Sequence, residues 1–288
     1  MAQPNFFSDF SLDPLVLSGL AVLTAQALYY AGHWFIGGRA QKERAMEGFE
    51  HVILSGVLFG IALALVNFAL WGLNVYLGLA GVKPPPGGAI ETLNQTKSWQ
   101  DFGANVQAAL SVAEQTFRGY AAESGAVLAA YSAAVVGTGV THWTAPISMA
   151  ILNVYAFLVT ATTTVLLSSA VYAVATVLAR TWPALLPLGA VLVTYERTRH
   201  LGAWLLAVSV VAPIVLAAGA DVLRSAVGPG EIAALTGMVT PLFVFSFRYV
   251  DSLLQAMIIL GLIGLTLGVL SYAASRLFDH AGASLSLE

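Results

Sequence analysis

The chemistry-bearing residues of this chain concentrate between positions 180 and 222. Pro183 and Pro187 accompany an apolar run from Ala184 to Thr194, and the charged knot Glu196, Arg197 and Arg199 follows directly. Three uses fit the knot: an anchor at lipid headgroups, a docking point for a cytoplasmic partner, or a contact for the phosphates of a translocating polymer. Composition alone does not choose among them.

Other clusters read as structure. Glu43, Glu47, Glu50 and His51 recur at helical spacing. A di-metal carboxylate bundle needs such a motif twice, on facing helices, and here it occurs once, beside Arg39, Lys42 and Arg44. A solvated, internally paired loop is expected there. The five histidines, His33, His51, His142, His200 and His280, are scattered, each near the end of an apolar run. An interfacial place for the imidazole outweighs metal ligation. The chain has no cysteine, which removes disulfides, thiolate zinc sites and thiol catalysis. No Gly-Lys dipeptide and no HExxH occurs, so neither a P-loop nor that zinc motif is present. No catalytic residue, metal ligand or cofactor is assigned.

The polar residues inside apolar runs are Gln26, Asn67, Asn74 and Asn153, with Thr160, Thr162, Thr163 and Thr164. Interhelical hydrogen bonding is the favoured role for the amides, and the threonines either line a polar path or bond back to their own helix. No Asp, Glu, Lys or Arg is expected at mid-membrane, which weighs against an ion-coupled transporter.

The elements that must carry these residues are membrane helices. The chain is 58% hydrophobic and 9% charged, with a mean hydropathy of +0.81, whereas soluble domains carry about 25% charged residues. An all-α polytopic transmembrane protein is expected, with five to seven membrane segments and an amphipathic extracytoplasmic helix. A β-barrel would show short alternating segments instead. The net charge of -3 argues against a strongly basic nucleic-acid-binding face. Nine Arg against three Lys, with few Asn and Gln, is compatible with a thermophile. No Lys or Arg precedes the first apolar run, so no cleavable signal peptide is expected.

Three regions follow. Residues 1-82 form a two-span hairpin, Leu15 to Gly37 and Val52 to Leu79, joined by a polar loop, with Gly56 and Gly60 placed for close helix contact. Residues 83-144 form an extracytoplasmic loop with an amphipathic helix lying on a surface. Its apolar face is Phe102, Val106, Ala109, Leu110, Ala113, Phe117 and Tyr120. An Ala/Gly-rich stretch, Gly125 to Val140, is ambiguous. Residues 145-288 form a transmembrane core: a long run to Ala179, the elbow, a span from Leu201 to Ala220, a short piece broken by Pro241, and a last span from Leu253 to Leu277. At the elbow each proline suits the first turn of a short re-entrant helix, since Ala184 to Thr194 falls short of the about 20 residues a crossing needs. Asp221 and Arg224 are expected in the following loop.

Basic residues set the orientation. With these spans, Arg39, Lys42, Arg44, Arg180, Arg197, Arg199 and Arg276 share one side, against Lys83, Lys97, Arg118, Arg224 and Arg248. The N-terminus is therefore expected outside and the C-terminus inside the cytoplasmic membrane. Asn94-Gln95-Thr96, a possible glycosylation site at Asn94, falls outside on the same reading.

The segment from Leu185 to Leu216 resembles the signature of the TrbL-like family, polytopic membrane components of type IV secretion-like DNA transfer machines that include the CedA-like archaeal DNA-import components. The residues that carry the resemblance are Pro187, Gly189, Thr198-Arg199, Gly202 and the Leu205-Leu206-Ala207 region, within about forty residues. The resemblance implies a non-enzymatic channel or platform subunit that passes single-stranded DNA across the membrane. A separate motor ATPase of the VirB/HerA-like kind and small membrane or pilin-like subunits would be its partners, in a homo- or hetero-oligomer. The docking elbow would then be Pro183, Pro187, Gly189, Glu196, Arg197, Arg199 and Gly202. Near-neutral charge suits a conduit, since strong phosphate contacts would stall a moving polymer. The alternative is a small-solute transporter or permease, and an intramembrane enzyme ranks last.

Overall fold

A computed structural model describes residues 14–79, 85–94, 102–139, 155–228 and 247–285. All of its regular structure is helical. In chain order the helices are α1 (Pro14–Ile36), α2 (Arg39–Leu79), α3 (Ala89–Asn94), α4 (Phe102–Gly139), α5 (Tyr155–Val193), α6 (Arg199–Ala226) and α7 (Phe247–Leu285), with one 3₁₀ turn, Glu196–Thr198, between α5 and α6. The protein is an all-α membrane protein. Among the described residues four segments are long and apolar enough to cross a bilayer: Arg39–Leu73, Val159–Val193, Glu196–Ala226 and Ser252–Ala281. Helix α1, with Gln26, Tyr29, Tyr30 and His33 in its second half, is not one of the four.

Side-chain contacts fix the directions. Gly19 meets Phe59 and Gly48 meets Tyr30, so α1 and α2 are antiparallel. Gln107 reaches Ala179, and Glu114 reaches Thr176, so α4 runs antiparallel to α5. Gly189 faces Gly202 and Leu206, which sets α6 antiparallel to α5. His200 lies 3.1 Å from Asp279, and Gly219 lies against Ile263, so α7 folds back along α6. Helix α6 is the central one: 61% of its apolar window is buried, against 22–33% for the other three. One core cluster, from Leu15 to Phe278, draws on all three regions expected from the sequence.

Four expectations are corrected. The stretch 39–51 is not a loop but the first turns of α2, and the chain breaks at Gly37-Gly38 instead. Its charges recur at helical spacing and point outward, where Arg39 and Glu43 pair at 3.7 Å, so nothing prevents the helix from starting early. The amphipathic helix is real, and Val106, Ala109, Leu110, Ala113, Phe117 and Tyr120 are buried. It does not lie flat on a surface, however. It continues through the Ala/Gly-rich stretch to Gly139 and stands alongside α5, because its apolar face has α5 and α6 to pack against. Helix α6 extends past Ala220 to Ala226, which brings Asp221 and Arg224 into the helix rather than a loop. Finally, Pro183 and Pro187 lie inside α5 rather than opening a short re-entrant helix. Arg180 consequently sits in mid-helix, about 21 Å of helix from Thr194 at 1.5 Å per residue, and is not on the elbow side.

Exposed large apolar side chains mark the lipid-facing surfaces. They occur on α1, α2, α5, α6 and α7, and none occurs among the described side chains of α3 and α4. The open positions of α4 are Ala104, Ala108, Gln115, Arg118, Gly119, Ala122, Ala126, Ala129, Ser132 and Ala133. That face suits water or another protein better than acyl chains.

Candidate functional site

The site is the crossing of α5 and α6 with the turn that joins them. It begins with a problem the sequence creates. A proline at position i has no N–H to give to the carbonyl at i−4, and its ring crowds that carbonyl. Pro183, Pro187 and Pro213 therefore free the carbonyls of Ala179, Pro183 and Ser209 inside apolar helices. Where no water can reach, each orphaned carbonyl costs several kcal/mol unless something else donates to it (about 1–3 from mutational series). All three have a donor from another helix. Gln107 Nε2 on α4 donates to the Ala179 carbonyl at 3.1 Å. Ser18 Oγ on α1 donates to the Pro183 carbonyl, in competition with the Leu15 carbonyl of its own helix at 2.9 Å. Trp182 Nε1 on α5 donates to the Ser209 carbonyl at 2.7 Å. The prolines thus remain in the helices because α1, α4 and α5 supply the missing donors, the arrangement by which membrane helices tolerate proline.

Glycine allows the crossing. A Cβ at Gly202 would lie 2.4 Å from the Val193 nitrogen and 2.6 Å from the Leu192 carbonyl carbon. A Cβ at Gly189 would lie 2.9 Å from the Leu206 nitrogen. The two backbones touch here, and only glycine at both positions leaves room. Trp182, Leu186, Ala190 and Val193 of α5 and Ala203, Leu206 and Ala207 of α6 are buried around them.

Above the crossing, Thr194, Tyr195 and the 3₁₀ turn end α5. Tyr195 is a polar node. Its hydroxyl accepts from Gln26 Nε2 at 2.8 Å and shares a 2.7 Å bond with the Tyr30 hydroxyl, both on α1. Its ring lies 5.2 Å from that of His51 on α2. Ser55 Oγ is 3.5 Å from Thr194 Oγ1, and Thr198 Oγ1 donates back to the Leu192 carbonyl at 2.9 Å. Glu196 and Arg197 point outward and are exposed, while Arg199 is half-buried at the start of α6.

The structure therefore gives the elbow residues one geometry and brings a distant residue to them. Pro183, Pro187, Gly189 and Gly202 form one crossing, with Glu196, Arg197 and Arg199 at its apex, and Gln26 reaches that apex from α1 as an interhelical hydrogen-bonding amide. Asn67 and Asn74 lie on α2, but their side chains are outside the described residues, as is Asn153. Asn94 ends α3, and the rest of its sequon is likewise outside. Glu43, Glu47 and Glu50 are exposed along α2. Among the described residues no three His, Asp or Glu side chains gather in one place. Thr164 bonds back to the Thr160 carbonyl of its own helix, and Ser168 to that of Thr164.

Sequence reasoning missed three contributors. Tyr195, which precedes the knot and carries no charge, is its hub. Gln107, outside the apolar face of the amphipathic helix, donates to the carbonyl that Pro183 frees. Asp221 looked like a loop residue, yet it is buried on α6, where its carboxylate accepts the backbone N–H groups of Ala89 at 2.9 Å and Ile90 at 2.8 Å. It thereby caps α3 and ties the segment before α4 to the central helix. An aspartate directly after an apolar span was the available signal. No family model, curated protein or solved structure matches this chain.

Proposed function

We propose that this protein is a non-enzymatic membrane channel or platform subunit of a DNA translocation machine, driven by a separate ATPase. The observation that carries the reading is the α5–α6 crossing. The residues on which the TrbL-like resemblance rests, Pro187, Gly189, Thr198-Arg199 and Gly202, are those that shape one tight contact and its charged apex. A resemblance spread over unrelated surfaces would carry less. The exposed pair Glu196 and Arg197 offers a projecting feature for a motor or for phosphates to meet. The α4 face, where no described side chain is a large exposed apolar one, offers a surface to a second subunit or to an aqueous path. With Arg180 in mid-helix, Arg39, Lys42, Arg44, Arg197, Arg199 and Arg276 still mark the elbow end as cytoplasmic under the positive-inside rule. The N-terminus is then outside and the C-terminus inside.

Deletion of the gene tests the proposal: DNA uptake or transfer should be abolished while growth stays normal. Affinity purification of the tagged protein from native membranes should recover an ATPase and small membrane subunits. Unchanged DNA exchange in the deletion strain would refute the reading and favour a solute transporter, to be pursued by ligand-dependent uptake.

A further inference from the structure

Where α1 gives way to α2, a cavity of about 270 Å³ opens between the two helices, lined by Tyr29, Tyr30, His33, Gln41, Arg44 and Ala45. We infer that this cavity binds the phosphate headgroup of an anionic phospholipid. The inference does not depend on the proposed function.

The lining chooses the charge. Arg44 is the one cation on the wall, and it has no ion-pair partner among the described residues. Glu43 and Glu47 flank it in sequence but do not line the cavity. A guanidinium recognises phosphate through paired N–H groups. Gln41 and Tyr29 add neutral polar residues to the lining, and the Tyr29 ring is braced edge-on by His33 at 4.7 Å between centroids. The Tyr30 hydroxyl is already engaged by Tyr195 at 2.7 Å.

The surroundings choose a lipid over a free anion. The cavity, at about 270 Å³, falls just below ligand-site volumes, which begin at about 300 Å³; it suits a headgroup and not a whole metabolite. Below it, Leu17, Leu20 and Leu28 are exposed along α1 for acyl chains to follow. Above it, Phe35 and Ile36 are 83% and 90% exposed, and Lys42 Nζ stands 5.9 Å from the Trp34 ring. Tyrosine and tryptophan beside basic side chains form the belt that sits at headgroup depth.

The test uses the purified full chain in a neutral detergent, with thermal unfolding as readout. Dioctanoyl phosphatidylglycerol is the probe, and dioctanoyl phosphatidylcholine and inorganic phosphate are the comparisons. Phosphatidylglycerol should raise Tm by about 3 °C or more near saturation, and the other two should not. Arg44→Ala should lose the shift, whereas Arg224→Ala, at the far end of α6 from the elbow, should keep it. Native mass spectrometry of the wild-type protein should show a retained anionic lipid, which keeps the test decisive if the Arg44 variant is poorly folded. No shift with phosphatidylglycerol, an equal shift with phosphatidylcholine, or a full shift in Arg44→Ala would overturn the inference. An equal shift with inorganic phosphate would overturn the lipid and leave a free-anion site.

Discussion

The Trp182 indole N–H donates to the Ser209 carbonyl at 2.7 Å, and Ser209 is the residue from which Pro213 has removed the helical donor. A fully buried tryptophan on α5 thus repairs a proline break in α6. The relationship predicts non-additivity. Trp182→Phe should destabilise the protein by roughly 2–3 kcal/mol, combining lost volume with an orphaned carbonyl. In a Pro213→Ala background, the restored backbone N–H should lower that cost by about 1 kcal/mol. Equilibrium unfolding in detergent measures both, and additive effects would contradict the repair.

Gly202 and Gly264 make a matched pair for the crossing. A Cβ at Gly202 would fall within 2.4 Å of backbone, whereas a Cβ at Gly264 would meet nothing within 4 Å. Gly202→Ala should lower stability by about 1–3 kcal/mol, since backbone cannot yield as a flexible side chain can. Gly264→Ala should leave stability unchanged or raise it by up to about 1 kcal/mol, the gain in helix propensity. Equal effects would mean that α5 and α6 do not approach so closely.

Asp221 should hold α3 rather than the bundle. In Asp221→Ala the Ala89 and Ile90 amides lose their acceptor, and their hydrogen exchange should accelerate by about tenfold for a cap of about 1.4 kcal/mol. Exchange across α7 should not change. Uniform acceleration throughout the chain would show that Asp221 supports the whole fold instead.

For the charged apex, Arg197→Glu with Arg199→Glu should impair DNA transfer more than Arg224→Glu does at the opposite end of α6. Protein abundance in the membrane, measured by immunoblot, separates lost function from lost folding. Equal tolerance at both ends would reduce the apex to a membrane anchor.

The sequence by itself determined the class of protein and the material of its helices. Continuous apolar runs of bilayer length are a local property, and so is the 3.6-residue recurrence that gave Val106, Ala109, Leu110, Ala113, Phe117 and Tyr120 one buried face. The residues of the elbow were also legible, because prolines, glycines and a charged knot stand out against an apolar background. Their arrangement was not. Whether a proline ends a helix or sits within it depends on where its orphaned carbonyl finds a donor. Here the donors come from residues 72, 165 and 27 positions distant in sequence from the carbonyls they serve. The polar stretch 39–51 reads as loop for a related reason: outward charges do not distinguish a solvated loop from a solvated helix, and the packing of Gly48 against Tyr30 is visible only in the folded chain. Asp221 follows the same logic, since its meaning lies in two amide groups on α3 that only the folded chain brings within 3 Å. Local patterning decided which segments become helices. Tertiary structure decided where those helices begin, end and bend, because it alone supplies the partners for the polar groups left over.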